Sequence, residues 1–184
     1  ACSLPRALAH VFPTSRHLAV EIDQALAAAV RRLVPLPRSP VLRIRVADAV
    51  PTLRARPPAS HDLIVRDAFD GGASTPAALA DAEAALAAAR ALRPGGLYLA
   101  NCGDTAGLPA TRREVRLLAR EFAYVAFITE AAQLRGRRLG NVVLIARHQA
   151  FNLDQEEALD RALRVGGFPA RLMAGPEALR WAGA

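Results

Sequence analysis

HLAVEID, residues 17–23, is a short apolar run that closes on acids and passes at once into the Ala-rich stretch after Asp23. It reads as a buried strand, His17–Ile22, handing over to a helix that Asp23 caps and that Pro35 and Pro37 stop near Leu33. The same sentence is then rewritten along the chain. VLRIRVA (41–47) is a strand, the stretch around Pro57-Pro58 (54–60) a loop, and HDLIVRD (61–67) another strand. Gly71-Gly72 breaks the chain, and Pro76 opens a long Ala-rich helix to about Leu92. Pro94-Gly95-Gly96 turns into the strand Leu97–Asn101, and a loop with Gly103 and Gly107 leads to a helix over 109–122. Tyr124–Thr129 and Asn141–Arg147 are the last two strands, and 153–165 is the last clear helix. Upstream, residues 1–12 (ACSLPRALAHVF) read as a helix with Pro5 in its first turns.

Strands separated by helices of this length pair in parallel through right-handed crossovers. The expected fold is therefore α/β: one domain over 1–184 with a mostly parallel sheet and a weakly patterned tail, 168–184. The last two strands are joined by a short polar link (130–140) without a clear helical pattern, which predicts an antiparallel hairpin closing one edge. A sheet of this kind needs a strand before its first helix, with a glycine turn between them for phosphate or nucleotide. The sequence opens in the helix, as though it began just after that turn.

Composition narrows the function classes. Of the residues 52% are hydrophobic but only 5% aromatic, so the core is built of Ala, Val, Leu and Ile. No apolar run approaches the ~20 residues of a membrane span, and no secretory signal is visible; the expectation is a soluble, cytoplasmic domain with no membrane span. The net charge is +7 and all 24 basic residues are Arg. They are scattered and lack interleaved aromatics, which argues against a nucleic-acid partner. Cys2 and Cys102 are too few for a structural zinc site, and the four histidines have no metal-ligand spacing, so no metal is expected. No GxSxG, HExxH or Walker-type loop is present.

The candidate chemistry lies in acids at strand ends, where open parallel sheets bind their ligands. Glu21 can accept hydrogen bonds from both hydroxyls of a ribose; the alternative is a surface acid beside a helix cap. Asp48 can accept from an adenine amino group while the Ala49 backbone N–H serves a ring nitrogen; the alternative is a capping or turn Asp. Asp67 and Asp70 are a pair, one at the end of an apolar strand and one a turn later. Together they can hold a cationic amine, and one can take its proton; alone they read as a strand-end acid and a turn Asp before Gly-Gly. Asn101 and Asp104 flank a glycine-containing loop and are weaker candidates for the pocket border.

Four segments occur in this order: Ala19-Val20-Glu21-Ile22-Asp23, Ala47-Asp48-Ala49, Asp62–Gly71 (DLIVRDAFDG) and Leu92–Asn101 (LRPGGLYLAN). Together they make the chain resemble the spermidine synthase (polyamine aminopropyltransferase) family, in particular its bacterial spermidine synthase-like members, over roughly residues 1–147. The resemblance implies a Rossmann-like fold of the S-adenosylmethionine-dependent methyltransferase type. It implies transfer of an aminopropyl group from decarboxylated S-adenosylmethionine to a polyamine such as putrescine, with no tightly bound cofactor. Glu21 would then hold the ribose, Asp48 with Ala49 would read the adenine, Asp67 would be the catalytic base and Asp70 would bind the amine. Three features depart from the family: the glycine-rich turn and the N-terminal β-domain are absent, and GGASTP (71–76) stands where the family usually has Pro-x-Gly-Pro.

Two other readings use the same residues. A methyltransferase on this fold would need the nucleoside acids but has no necessary use for Asp70. A non-catalytic module, within a larger protein or a homodimer, would fit the absent glycine turn. The partners expected are thus a nucleoside and an amine, with a homodimer left open.

Overall fold

The computed structural model describes residues 2–72, 74–167 and 169–184. Ala1 and Phe168, the first residues of the predicted first helix and of the tail, lie outside that set, as does Ala73. The chain divides into two compact units, Ala1–Ala55 and Arg56–Ala184.

The first unit alternates α1 (Ser3–Val11), β1 (His17–Glu21), α2 (Gln24–Leu33), β2 (Leu42–Val46) and α3 (Ala49–Arg54). Asp23 caps α2 as its sequence position predicts, its Oδ1 accepting from the N–H groups of Ala25 (2.8 Å) and Leu26 (3.0 Å). β1 and β2 are parallel, with Glu21 opposite Val46. The short helix α3 stands where the sequence shows only the approach to a loop. Asp48 makes it by capping: its carboxylate accepts from Val50 N–H at 2.8 Å.

The second unit carries a five-stranded sheet in the order β3-β4-β6-β5-β7. Its strands are β3 (His61–Arg66), β4 (Leu92–Asp104), β5 (Tyr124–Thr129), β6 (Gly140–Arg147) and β7 (Arg171–Ala174). β3 and β4 are parallel, while β6 is antiparallel to both β4 and β5 and β7 is antiparallel to β5. Hence β3, β4 and β5 share one direction and the other two oppose it. The fold is the α/β class that the alternating pattern predicts, and β5 and β6 form the expected antiparallel pair. That pair is not the outer edge, however: β6 inserts between β4 and β5, and the edge position goes to β7. The tail hides this strand because its four residues, RLMA, are too few for a period to show.

Two further departures have local causes. The predicted long helix after Pro76 splits into a 3-10 turn (Ala77–Leu79) and α4 (Ala82–Ala91). Asp81 intervenes, its carboxylate accepting from Ala84 N–H at 2.8 Å and so restarting the helix at a new cap. The strand β4 begins before Pro94-Gly95-Gly96 rather than after it. His61 pairs with Leu92 but Leu63 pairs with Leu97, so residues 93–96 bulge out of the ladder. Gly96 permits the bulge, since a Cβ there would stand 2.9 Å from Leu92 Cδ2 and 3.0 Å from the Arg93 carbonyl.

The remaining helices are α5 (Pro109–Glu121), α6 (Ala131–Leu134), α7 (Leu153–Val165) and α8 (Gly175–Ala182). α6 is a single turn held by a Glu130/Gln133 capping box, too short for the pattern of the polar 130–140 link to announce. α5 and α8 are joined by Arg112 and Arg116, which donate to the carbonyls of Trp181 and Ala182 at the end of α8. Arg112 also stacks on the Trp181 ring at 3.9 Å, and Trp181 packs on Phe127 at 4.6 Å in the centre of the core. Among the described residues no helix is long and apolar enough to cross a membrane.

Candidate functional site

In the first unit, parallel pairing brings Glu21 and Asp48 to the same end of the β1–β2 sheet. Ala47 N–H donates to the Glu21 carbonyl at 3.0 Å, so the segment leading to Asp48 continues the ladder past β2. The Glu21 side chain is half-buried and accepts from Asp23 N–H at 2.9 Å. Asp48 is exposed and Ala49 half-buried. The capping role that the sequence left open for Asp48 is therefore real; a cap uses one carboxylate oxygen and does not consume the other.

In the second unit, Asp67 follows the last residue of β3. The β3–β4 register pairs Arg66 with Ala100, which sets Asp67 beside Asn101. Asn101 Nδ2 donates to Asp67 Oδ1 at 2.9 Å. Of the two border candidates, Asn101 is thus tied directly to the proposed base. Asp104 is not: it is buried at the end of β4, where its carboxylate accepts from Thr105 N–H and, at the start of α5, from Ala110 and Thr111 N–H and the Thr111 hydroxyl at 2.7–3.3 Å. That is the work of a helix anchor. Asp70 is exposed in the turn and accepts from Gly72 N–H at 3.3 Å, while its own N–H donates to the Ser74 carbonyl at 3.1 Å.

The residue missed by the sequence reading is Arg66. It is 7% exposed, and its guanidinium forms a two-pronged pair with Glu114 of α5, at 2.5 and 3.2 Å. It also donates to the carbonyls of Leu79 (3.1 Å) and Asn101 (3.3 Å). A signal for it was present. The inward stripe of α5 is Thr111, Glu114, Val115 and Leu118, so a carboxylate sits on a helix's buried face, and an arginine interrupts the apolar strand LIVR. Two buried charges need each other. Tyr98 and Cys102, on β4 beside this pair, are held protonated: burial pushes both up to about 12. Among the described residues no group of His, Cys, Asp or Glu is placed to hold a metal ion.

Comparison with known proteins places the fold. A probable spermidine synthase from Corynebacterium glutamicum ATCC 13032 is 36% identical and superposes with a TM-score of 0.92 over 100% of this chain. This chain spans 66% of that one, just under two thirds of its length. Human methyltransferase-like protein 13, in complex with SAH, is 22% identical with a TM-score of 0.65, covering 89% of this chain and 78% of its own. A spermidine synthase in complex with the transition state analogue AdoDATO is 16% identical with a TM-score of 0.60, covering 83% and 53%. The last two share the fold alone. No protein-family model and no curated protein matches the chain.

Proposed function

Since the chain belongs to the spermidine synthase-like family, on the Rossmann-like methyltransferase fold, we propose that it serves an aminopropyl transfer from decarboxylated S-adenosylmethionine to a polyamine such as putrescine. The reading takes residues 1–184 as one nucleoside-binding domain. Glu21 accepts from the ribose hydroxyls, Asp48 and Ala49 read the adenine, Asp70 binds the amine and Asp67 removes a proton from it. The amine nitrogen attacks the carbon next to the sulfonium; the C–S bond breaks, and methylthioadenosine leaves with the electron pair on sulfur. Such a displacement asks for alignment and a base.

The observation that carries this reading is Asp67 itself. It is an exposed carboxylate at the carboxyl end of a parallel strand, and Asn101 holds one of its oxygens at 2.9 Å. A fixed, solvent-reachable carboxylate with a second exposed one three residues on in the chain suits a cationic amine, and methyl transfer gives that second one, Asp70, no task.

The test measures methylthioadenosine release from decarboxylated S-adenosylmethionine and putrescine, with calorimetry of nucleoside binding alongside. Asp67→Asn is expected to lower kcat by a factor of ~10²–10⁴, as loss of a general base does, with nucleoside affinity unchanged. Turnover that survives this substitution removes Asp67 from the reaction. A clear preference for the carboxylated nucleoside would instead assign the chain to methyl transfer.

A further inference from the structure

We propose that Arg66, clamped by Glu114, is a positioning residue that sets the place of Asp67 through Asn101. The inference rests on the reading of Asp67 as the base and adds what holds it.

Arg66 and Asp67 are neighbours at the end of a strand, so their side chains leave on opposite faces. Arg66 therefore cannot act on the Asp67 carboxylate directly. It acts on the strand alongside. Its guanidinium donates to the backbone carbonyl of Asn101, and the Asn101 side chain donates to Asp67. The same guanidinium reaches the Leu79 carbonyl. Residues 66 and 79 bracket the segment that carries Asp67 and Asp70, so one side chain fastens both ends of it. Glu114 fixes the guanidinium in turn through two parallel bonds. A rigid planar fork with five donors can serve three acceptors on three elements at once; a lysine ammonium cannot hold that geometry.

Stability does not explain the arrangement. A buried ion pair is commonly matched or bettered by apolar side chains of similar volume. This one also leaves buried polar atoms without a partner among the described residues: Arg66 Nε and, at the other end of the relay, Asn101 Oδ1. Each such atom works against folding. What the cluster provides that an apolar pair would not is direction. It links α5, β3, β4 and the turn before α4 to a single carboxylate.

The experiment replaces the pair by an apolar one of similar volume, Arg66→Met/Glu114→Leu, with Arg66→Lys as the conservative variant. The double variant is expected to melt at or above the wild-type temperature and to bind methylthioadenosine within twofold of wild type. Its kcat falls at least tenfold, with the KM for the amine less affected. Arg66→Lys does not rescue it. A purely structural pair would recover kcat along with stability, and a double variant with wild-type kcat overturns the proposal. A second readout is independent of turnover. The Asn101 side-chain amide, identified in a nitrogen–proton spectrum by its loss in Asn101→Ala, shifts in Asp67→Asn as its acceptor changes. It must shift in the double variant as well. An amide that moves with Asp67→Asn but stays fixed in the double variant breaks the relay, even for a protein with no aminopropyl transfer. An absence of turnover in wild type with the amide shifts as described defeats the assigned reaction and leaves the relay standing.

Discussion

Among the described residues 2–55 the buried side chains are Ala27, Val30, Leu42 and Thr52; among those of 56–184 they include Phe127, Leu144, Val142, Val115, Leu108 and the inner face of an Ala-rich helix. The difference extends to the acids. Glu21, Asp23 and Asp48 accept from backbone N–H groups two or three residues away. Asp67 accepts from a side chain 34 residues away, and the Arg66–Glu114 pair spans 48. In the first unit geometry is a local property of caps and turns. In the second, Asp70 and Asp81 keep local turns and caps, but the placement of Asp67 and of the Arg66–Glu114 pair is a property of the assembled core. A substitution in the one should stay local, and in the other it should reach the whole sheet.

The sharpest way to break that contrast is Glu114→Ala. It leaves the Arg66 charge buried without its partner, which is expected to cost about 3–5 kcal/mol. Urea unfolding measures it, and a cost below 1 kcal/mol would mean that the second unit is as locally held as the first. Alkaline titration comes next. Cys102 and Tyr98 have folded pKa values raised from 9.0 and 10.0 to about 12. Above pH 9 the unfolded chain therefore releases protons that the folded chain retains. Stability is full below pH 9 and falls between pH 9 and 12, by on the order of 1 kcal/mol per pH unit for each group that the unfolded chain has ionised. Melting temperatures across that range should show it, and Cys102→Ala should move the onset up towards pH 10. A flat profile would show that neither group is buried in solution. The smallest effect belongs to the first unit. Asp23→Ala removes the cap of α2 and should cost ~1 kcal/mol, with hydrogen exchange rising in the first turn of that helix and unchanged in β3–β7.

The same division explains what could be read before the structure was known. Cap and strand patterns are short-range, so Asp23, the limits of β5 and the alternation of the longer elements were legible, while the short α3, α6 and β7 were not. The pairing of Asp67 with Asn101 was not, because it depends on strand register, which the bulge at residues 93–96 resets. Arg66 is a charge in an otherwise apolar strand and Glu114 a charge on the buried stripe of a helix, and neither was read as part of a site. Nothing local joins two anomalies 48 residues apart. Asp48 shows the opposite limit: its local role as a cap is visible in both sequence and structure, and a role towards a ligand would be added to it rather than replace it.

The insertion of β6 between β4 and β5 has a consequence in time. Among the described residues, β3–β4 and β5–β7 are not neighbours in the sheet, and β6 supplies the ladder to each. On the ribosome, residues 140–147 emerge after both of the strands they must separate. Until then β4 and β5 each present an unsatisfied edge to solvent, the kind that recruits other chains. The centre of this sheet closes only after the strands on either side of β6 have been made, and the interval before it closes is when a nascent chain is exposed to aggregation.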